Sequence, residues 1–139
     1  MDYSIGFYQS ILDALSEHIV VIDGRGKINF VNAAWTQHAI ENAFTYTQNW
    51  RTVNYLAVCD ASAALGEPSA AQAAGGLRSL IERTSDLFRM EYPCHSPTQE
   101  RWFVMTGTPL DWSGEIFVVI SHQDITRRKL AEMRLSEFS

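Results

Sequence analysis

The chain has 139 residues, of which 46% are hydrophobic and 19% are charged, and its formal net charge is -5. These values predict one globular domain with a genuine core, and they argue against wholesale disorder. The tight basic cluster is confined to Arg127, Arg128 and Lys129. Nucleic acid is therefore not an expected partner.

The sequence also bears on the cellular compartment. No stretch approaches the ~18 apolar residues of a membrane span, and the N-terminus lacks the basic flank of a signal peptide. We therefore expect a cytoplasmic segment with no membrane contact. Cys59 and Cys94 fit neither a CxxC redox motif nor a zinc pattern, and they are expected to be reduced thiols.

The first elements in chain order are a helix and a hairpin. Four apolar residues near the N-terminus recur at helical spacing, namely Tyr8, Ile11, Leu12 and Leu15. They predict a short amphipathic helix over residues 4–16. Residues 18–23 predict a strand, 24–26 a tight turn and 27–31 the returning strand.

The middle of the chain predicts helices. Segment 32–60 is irregular, but Asn32 is suited to cap a short helix that contains Trp35. A longer helix is expected from Pro68, because small and apolar residues recur on one face of the segment that follows. The Gly75-Gly76 pair weakens this helix by roughly 1 kcal/mol per glycine relative to alanine, and the expected compensation is close approach to another backbone.

Three strands and a helix complete the prediction. Residues 88–92 alternate in polarity, 102–110 and 115–125 are the next two strands, and charged helix formers follow Thr126. The element order predicts an α+β fold, with helices over one face of an antiparallel sheet.

Four segments then stand in a characteristic order and spacing. They are the hairpin 19–32 with Trp35 three residues on, Asn54-Tyr55-Leu56, the hairpin 91–97 before Arg101-Trp102-Phe103, and Asp124-Ile125-Thr126. Together they resemble the PAS sensor domain with its C-terminal PAC extension, over nearly the whole chain. The resemblance implies a five-stranded antiparallel sheet in the order 2-1-5-4-3, wrapped over a cavity that the middle helices close.

The resemblance also implies the organisation of the protein. We expect an N-terminal helix in 1–17, the PAS domain in 18–126 and the start of a C-terminal signalling helix in 127–139. Such domains belong to larger bacterial signalling proteins, most often histidine kinases or diguanylate cyclases, and commonly dimerise. The catalytic module would lie downstream, so this domain is not expected to be an enzyme.

The cofactor is unknown, although the resemblance argues against two. Light-sensing flavin members form an adduct through a cysteine directly after an asparagine, and the residue after Asn54 is Tyr55. Haem members use a histidine on or beside the long middle helix, and residues 68–84 contain none. No metal site is expected either, because the adjacent Cys94 and His95 point to opposite sides of an extended chain.

His122 is the main candidate for a ligand contact. It lies two residues before Asp124, where flavin-binding members of the family place a glutamine that faces the cofactor. It can donate to a ligand or switch with pH, and the alternative is a histidine satisfied by a neighbouring side chain or a buried water. The other pocket candidates are Ile120, Val118, Tyr55 and Trp35.

Asp124 and Thr126 are the candidates for signal relay. Either side chain can cap the final helix, at a cost of ~1 kcal/mol if the cap is removed. In the family this junction couples the sheet to the output helix. The alternative is an ordinary helix cap with no signalling role.

The final helix bears on assembly. It is no longer than the ~12–15 residues at which isolated helices are marginal, so packing on the domain or on a second chain must stabilise it. Two seams suit a coiled coil, one with Arg128, Ala131, Leu135 and Phe138 and another with Leu130 and Met133. We expect a homodimer through the terminal helices, a downstream output domain and a small-molecule ligand. The rival hypotheses are a ligand-free PAS dimerisation or protein-interaction module and an enzyme of a similar α+β fold.

Overall fold

The computed structural model describes residues 4–41, 50–95 and 97–137, except for the side chains of residues 40 and 41. The predicted segments 1–17, 32–60, 91–97 and 127–139, the last with Phe138, therefore lie partly outside the described residues. In the described ranges, no helix is both long enough and apolar enough to cross a membrane.

The sheet has the predicted topology. Its strands are β1 (His18–Asp23), β2 (Ile28–Val31), β3 (Phe88–Pro93), β4 (Trp102–Trp112) and β5 (Glu115–Asp124). They form one antiparallel sheet in the order β2-β1-β5-β4-β3. The predicted α+β fold and strand order are confirmed.

Helices precede, cover and follow this sheet. They are α1 (Ile5–Asp13), α2 (Ala33–Glu41), α3 (Tyr55–Ala64), α4 (Pro68–Ile81) and α5 (Thr126–Glu137), with a 3-10 turn at Trp50–Thr52. α2 contacts β1, while α4 contacts β3, β4 and β5. The middle helices therefore lie over one face of the sheet, and α1 and α5 lie at the N-terminal and C-terminal ends of the chain.

Asp23 fixes the first hairpin. Its Oδ1 accepts hydrogen bonds from the backbone N–H groups of Arg25 at 2.9 Å and Lys27 at 3.0 Å. Gly26 has φ +92°, a conformation in which an L side chain is strained. The turn predicted at 24–26 is therefore determined by local chemistry.

Asn32 joins α1, β1 and α2. Its side-chain oxygen accepts from the N–H groups of Ile19 at 2.9 Å and Trp35 at 3.0 Å. Its side-chain nitrogen donates to the carbonyl oxygens of Leu12 and Glu17, each at 2.9 Å. Asn32 therefore caps α2 as expected, and its burial at 1% exposure is compensated by four hydrogen bonds.

α4 packs directly on the sheet through its C-terminal half. Leu77 and Leu80 are fully buried. A Cβ atom added to Gly107 of β4 would lie 2.8 Å from Leu80 Cδ1 and 3.2 Å from Leu77 Cδ2. The absence of a side chain at Gly107 is what lets the helix approach this part of the sheet so closely.

The prediction that the Gly75-Gly76 pair closely approaches another backbone is wrong. A Cβ atom on Gly76 would lie 2.2 Å from Phe88 Cε1, whereas one on Gly75 would meet nothing within 4 Å. The close approach therefore involves Gly76 alone, and its neighbour is an aromatic side chain rather than another backbone. Phe88 occupies this space because it begins β3, directly below the helix.

Candidate functional site

A cavity of about 290 Å³ lies between one end of the sheet and α2, α3 and α4. The sheet contributes His18, Met90, Tyr92, Met105 and His122. The helices contribute Trp35, His38, Tyr55, Cys59, Ser69 and Ala73, among others. The residues at the start of α4 are small and leave a gap between the helix and the sheet. Further along the same helix, Leu77 and Leu80 fill the corresponding gap.

His122 is held between two tyrosines. The hydroxyl of Tyr55 lies 3.1 Å from Nε2, and the hydroxyl of Tyr92 lies 2.6 Å from Nδ1. Both distances are within hydrogen-bonding range. This arrangement corresponds to the predicted alternative in which neighbouring side chains satisfy the histidine, and it also places all three groups at the cavity wall.

His122 is neutral at pH 7. Burial is the main factor that lowers its pKa, and the nearby His18 and His38 lower it further, from 6.5 to about 3. A neutral imidazole carries one N–H and one acceptor nitrogen. One tyrosine hydroxyl therefore donates to the ring and the other accepts from it.

Two further histidines meet at this end of the sheet. His18 on β1 lies directly opposite His122 on β5. Its ring stacks on that of His38, with 4.3 Å between the ring centroids and 26° between the ring planes. The two residues were not among the predicted site residues, because only the strand register brings His18 beside His122.

Burial also keeps two other groups of the wall, Tyr92 and Cys59, protonated. It raises the pKa of Tyr92 far above its ordinary value, with smaller contributions from Cys94 and Cys59. Burial, followed by the charge of Asp60, raises the pKa of Cys59 to about 11. A protonated Cys59 is a poor nucleophile. These side chains therefore act as neutral hydrogen-bonding groups.

The predicted pocket residues occupy two different environments. Tyr55, Trp35 and His122 line the cavity. Ile120 and Val118 share the face of His122, but both are 0% exposed and belong to the closed core rather than to the cavity lining. Strand alternation predicts a side chain's face, whereas its depth depends on the helix that covers it. A ligand contact for any of the five stays a prediction.

The relay candidates fasten α5 to the sheet. Asp124 Oδ1 accepts from the Thr126 N–H at 2.8 Å. Thr126 Oγ1 in turn accepts from the Trp102 N–H at 3.0 Å, and the Ile125 N–H donates to the Trp102 carbonyl oxygen at 2.8 Å. The start of α5 is therefore hydrogen-bonded to the first residue of β4.

A second attachment of α5, which the sequence did not indicate, involves Glu91 on β3. Arg128 Nη2 lies 2.6 Å from Glu91 Oε2, and Lys129 Nζ lies 3.3 Å from Oε1. The two cations lower the pKa of the Glu91 carboxyl. Glu91 is the neighbour of Tyr92, so consecutive residues of β3 contact α5 and the cavity.

The topology, the cavity and the attached last helix together define a class: an α+β domain in which one sheet and its covering helices border a binding-sized space. A family model described as the PAS fold matches residues 12–130. The chain belongs to the PAS fold family, which confirms the resemblance seen in the sequence.

Similar proteins extend this result. The chain is 42% identical over 121 residues to an uncharacterized 104.1 kDa protein from the hypE 3' region of Rhodobacter capsulatus, covering 86% of this chain and 13% of that protein. The PAS domain of Bordetella pertussis BvgS has a TM-score of 0.59 at 19% identity and covers 95% and 97% of the two chains. A sensory box sensor histidine kinase from Vibrio cholerae has a TM-score of 0.53 at 14% identity, with 86% and 90% covered. The solved structures share the fold with this chain.

Proposed function

We propose that this chain is the sensory domain of a cytoplasmic bacterial signalling protein, either a histidine kinase or a diguanylate cyclase. A small molecule binds in the cavity, and the resulting change passes through α5 to an output module downstream. The matched relative supports a multidomain protein, because this chain corresponds to 13% of its length. The PAS domain itself performs no catalysis.

The observation that carries the proposal is that two strands connect the cavity with α5. On β5, His122 lies two residues before Asp124, which bonds the first N–H of α5. On β3, Tyr92 lies beside Glu91, which pairs with Arg128. Because Tyr92 also bonds His122, the cavity groups of both strands form one hydrogen-bonded unit.

The mechanism is a shift between two packings of this unit. A ligand that moves Tyr92 or His122 changes the position of β3 relative to β5. The attachments of α5 follow, because Glu91 and Asp124 lie on the same two strands. A ligand shifts the equilibrium by as much as its affinities for the two packings differ.

Dimerisation through the terminal helices is part of the proposal. α1 exposes an apolar surface, with Ile5 86%, Tyr8 55% and Ile11 46% accessible. On α5, Met133 is 44% and Leu135 71% exposed. Burial of these residues against a second copy would stabilise both helices and give the output module a symmetric partner.

The relay is tested by replacing both Asp124 and Thr126 with alanine in the full-length protein. We expect the domain to fold and to bind its ligand, while stimulus-dependent output falls to the unstimulated level. Thr108→Ala, an exposed position on β4, is the matched control and should leave output unchanged. Parental output from the double variant would eliminate this junction as the relay.

The exposed surface of α1 also favours a second candidate, a ligand-free dimerisation or protein-interaction module. Native mass spectrometry of protein purified from cells distinguishes the two. A dimer that carries a small molecule supports the sensory function. A dimer without a bound small molecule favours the second candidate, provided that the output activity of the full-length protein also stays constant when fractions of a cell extract are added.

A further inference from the structure

We infer that the cavity takes a small, uncharged, planar molecule, and that the ligand hydrogen-bonds to Tyr92 at the end of a Tyr55–His122–Tyr92 chain. This inference rests on the proposed function, because it names the class of ligand for the same cavity. Three features support it: the charge of the wall, the direction of the hydrogen-bond chain and the shape of the apolar surface.

The charge of the wall disfavours an anion. Fifteen described residues line the cavity, and none is a lysine or an arginine, whereas Glu67 is among them. A carboxylate or phosphate would lose its hydration on entry without gaining a permanent positive partner, which is costly in a buried site. A cation is disfavoured as well. The carboxylate of Glu67 is at an exposed position and already accepts from the N–H and the hydroxyl of Ser69, and the half-buried polar groups next to His122 are tyrosine hydroxyls.

The hydrogen-bond chain through His122 can run in either of two directions, which differ in the role of each tyrosine hydroxyl. A neutral His122 can donate from one ring nitrogen only, so the two tyrosine hydroxyls play opposite roles. If Nδ1 carries the proton, Tyr92 accepts from it and has its own hydroxyl proton for a ligand acceptor. If Nε2 carries the proton, Tyr92 donates to Nδ1 and offers a lone pair to a ligand donor. A neutral group with both a donor and an acceptor, such as a carboxamide, suits either state.

The remaining surface suits a flat ring. Met90 and Met105 face each other across β3 and β4, and both line the cavity together with the indole of Trp35. Thioethers and aromatic faces both pack favourably against an aromatic ring. The volume of about 290 Å³ lies at the lower limit of pockets for drug-sized ligands, so the ligand is smaller than these.

The test uses three matched pairs of probes: benzamide and benzoate, nicotinamide and nicotinate, and 4-hydroxybenzamide and 4-hydroxybenzoate. Each pair has nearly the same shape, and its members differ in charge at pH 8. Binding to the 139-residue chain is measured by NMR titration, with the resonances of Tyr92 and His122 as reporters. We expect at least one amide to bind tenfold more tightly than its acid.

Tyrosine variants then locate the contact. Tyr92→Phe removes the hydroxyl and keeps the ring, so we expect affinity for the amide to fall roughly threefold to tenfold, as for the loss of one hydrogen bond. Thr108→Val, which removes a hydroxyl at an exposed position of β4 outside the cavity lining, is the control and should bind like the parent.

The outcomes separate this inference from the proposed function. An acid that binds as tightly as its amide overturns the uncharged class but leaves a ligand-binding sensor intact. An amide whose affinity Tyr92→Phe does not change overturns the role of the chain. If none of the six probes binds at millimolar concentration, the ligand class is wrong, while the relay experiment on Asp124 and Thr126 still decides the proposed function independently.

Discussion

The two ends of the sheet's helix-covered face differ in packing, although the same strands form both. At one end, Val118 and Ile120 of β5 are fully buried beneath Leu77 and Leu80 of α4. At the other end, the next inward residue of β5 is His122, which faces the cavity and bonds two tyrosines. The closed end supplies stability, and the open end retains space and polar groups, so substitutions at the two ends should have different consequences.

The largest effect is expected at the closed end. Leu80→Ala should lower the free energy of unfolding by about 2–5 kcal/mol, because it removes a fully buried side chain and leaves a cavity against Gly107. Urea denaturation measures the loss as a lower midpoint with an unchanged slope. Leu65→Ala, at a position 91% exposed, is the control and should change stability by less than about 0.5 kcal/mol. Equal effects of the two variants would contradict the assignment of stability to the closed end.

Two adjacent glycines sharpen the comparison within α4. Gly76→Ala should destabilise the domain by about 1–3 kcal/mol, because the new methyl group would overlap the Phe88 ring. Gly75→Ala should instead stabilise it by about 0.5–1 kcal/mol, since its site is open and alanine favours a helix. Thermal denaturation of both variants checks the opposite signs. A stabilising Gly76→Ala would show that Phe88 moves aside freely.

At the open end, the half-buried and neutral His122 predicts a pH effect. Its folded pKa of about 3 lies below the value of 6.5 for an exposed histidine, so between these values only the unfolded state binds the proton. Stability should therefore fall as pH drops below about 6.5, by about 1.4 kcal/mol per pH unit for this one group.

The measurement compares the parent with His122→Gln in urea denaturation at pH 7.5 and 5.5. Other acidic groups titrate in both proteins, so the difference between their two pH dependences isolates His122. Thr108→Ala, at an exposed position outside the cavity lining, is the control and should keep the parental pH dependence. Parallel curves for the parent and His122→Gln would mean that His122 can be protonated in the folded protein.

The smallest destabilisation is expected where β5 leaves the open end and α5 begins. Asp124→Ala should cost about 1 kcal/mol, because the side chain bonds the first N–H of α5. Hydrogen exchange at the Thr126 amide should accelerate, whereas the amides of Val118 and Ile120 in the closed core should exchange nearly as before. Asp86→Ala, in an exposed bend, is the control. Uniformly faster exchange throughout the sheet would show that the junction supports the whole fold and not α5 alone.

Much of the fold could be predicted because its signals are local. Asp23 and Gly26 build the first turn with their own backbone and side-chain groups, and Pro68 starts α4 where predicted. Asn32 was expected to cap α2, and it does. The same residue also bonds Leu12 and Glu17, which local patterns did not indicate because these partners lie 20 and 15 residues away.

The site was harder to predict because it depends on what lies across the strands. The sequence singled out His122, Tyr55 and Trp35, and all three line one cavity. The sequence did not distinguish these three residues from Ile120 and Val118. The alternation of inward and outward side chains is the same along the whole of β5, whereas the packing of α4 against β5 changes along the strand. It also missed His18 and His38, which only the register of β1 against β5 and the position of α2 bring to the cavity.

The sequence by itself determined the element order, the PAS fold and the junction of Asp124 and Thr126 with the last helix, because turns, caps and periodicity act over a few residues. Only the tertiary structure decided which part of the sheet is closed and which is open. It also brought Tyr55, Tyr92 and His122 together from three separate elements, and placed Glu91 against Arg128. The reason is physical: a cavity and its hydrogen bonds depend on how distant segments pack, and packing is a property of the folded chain as a whole.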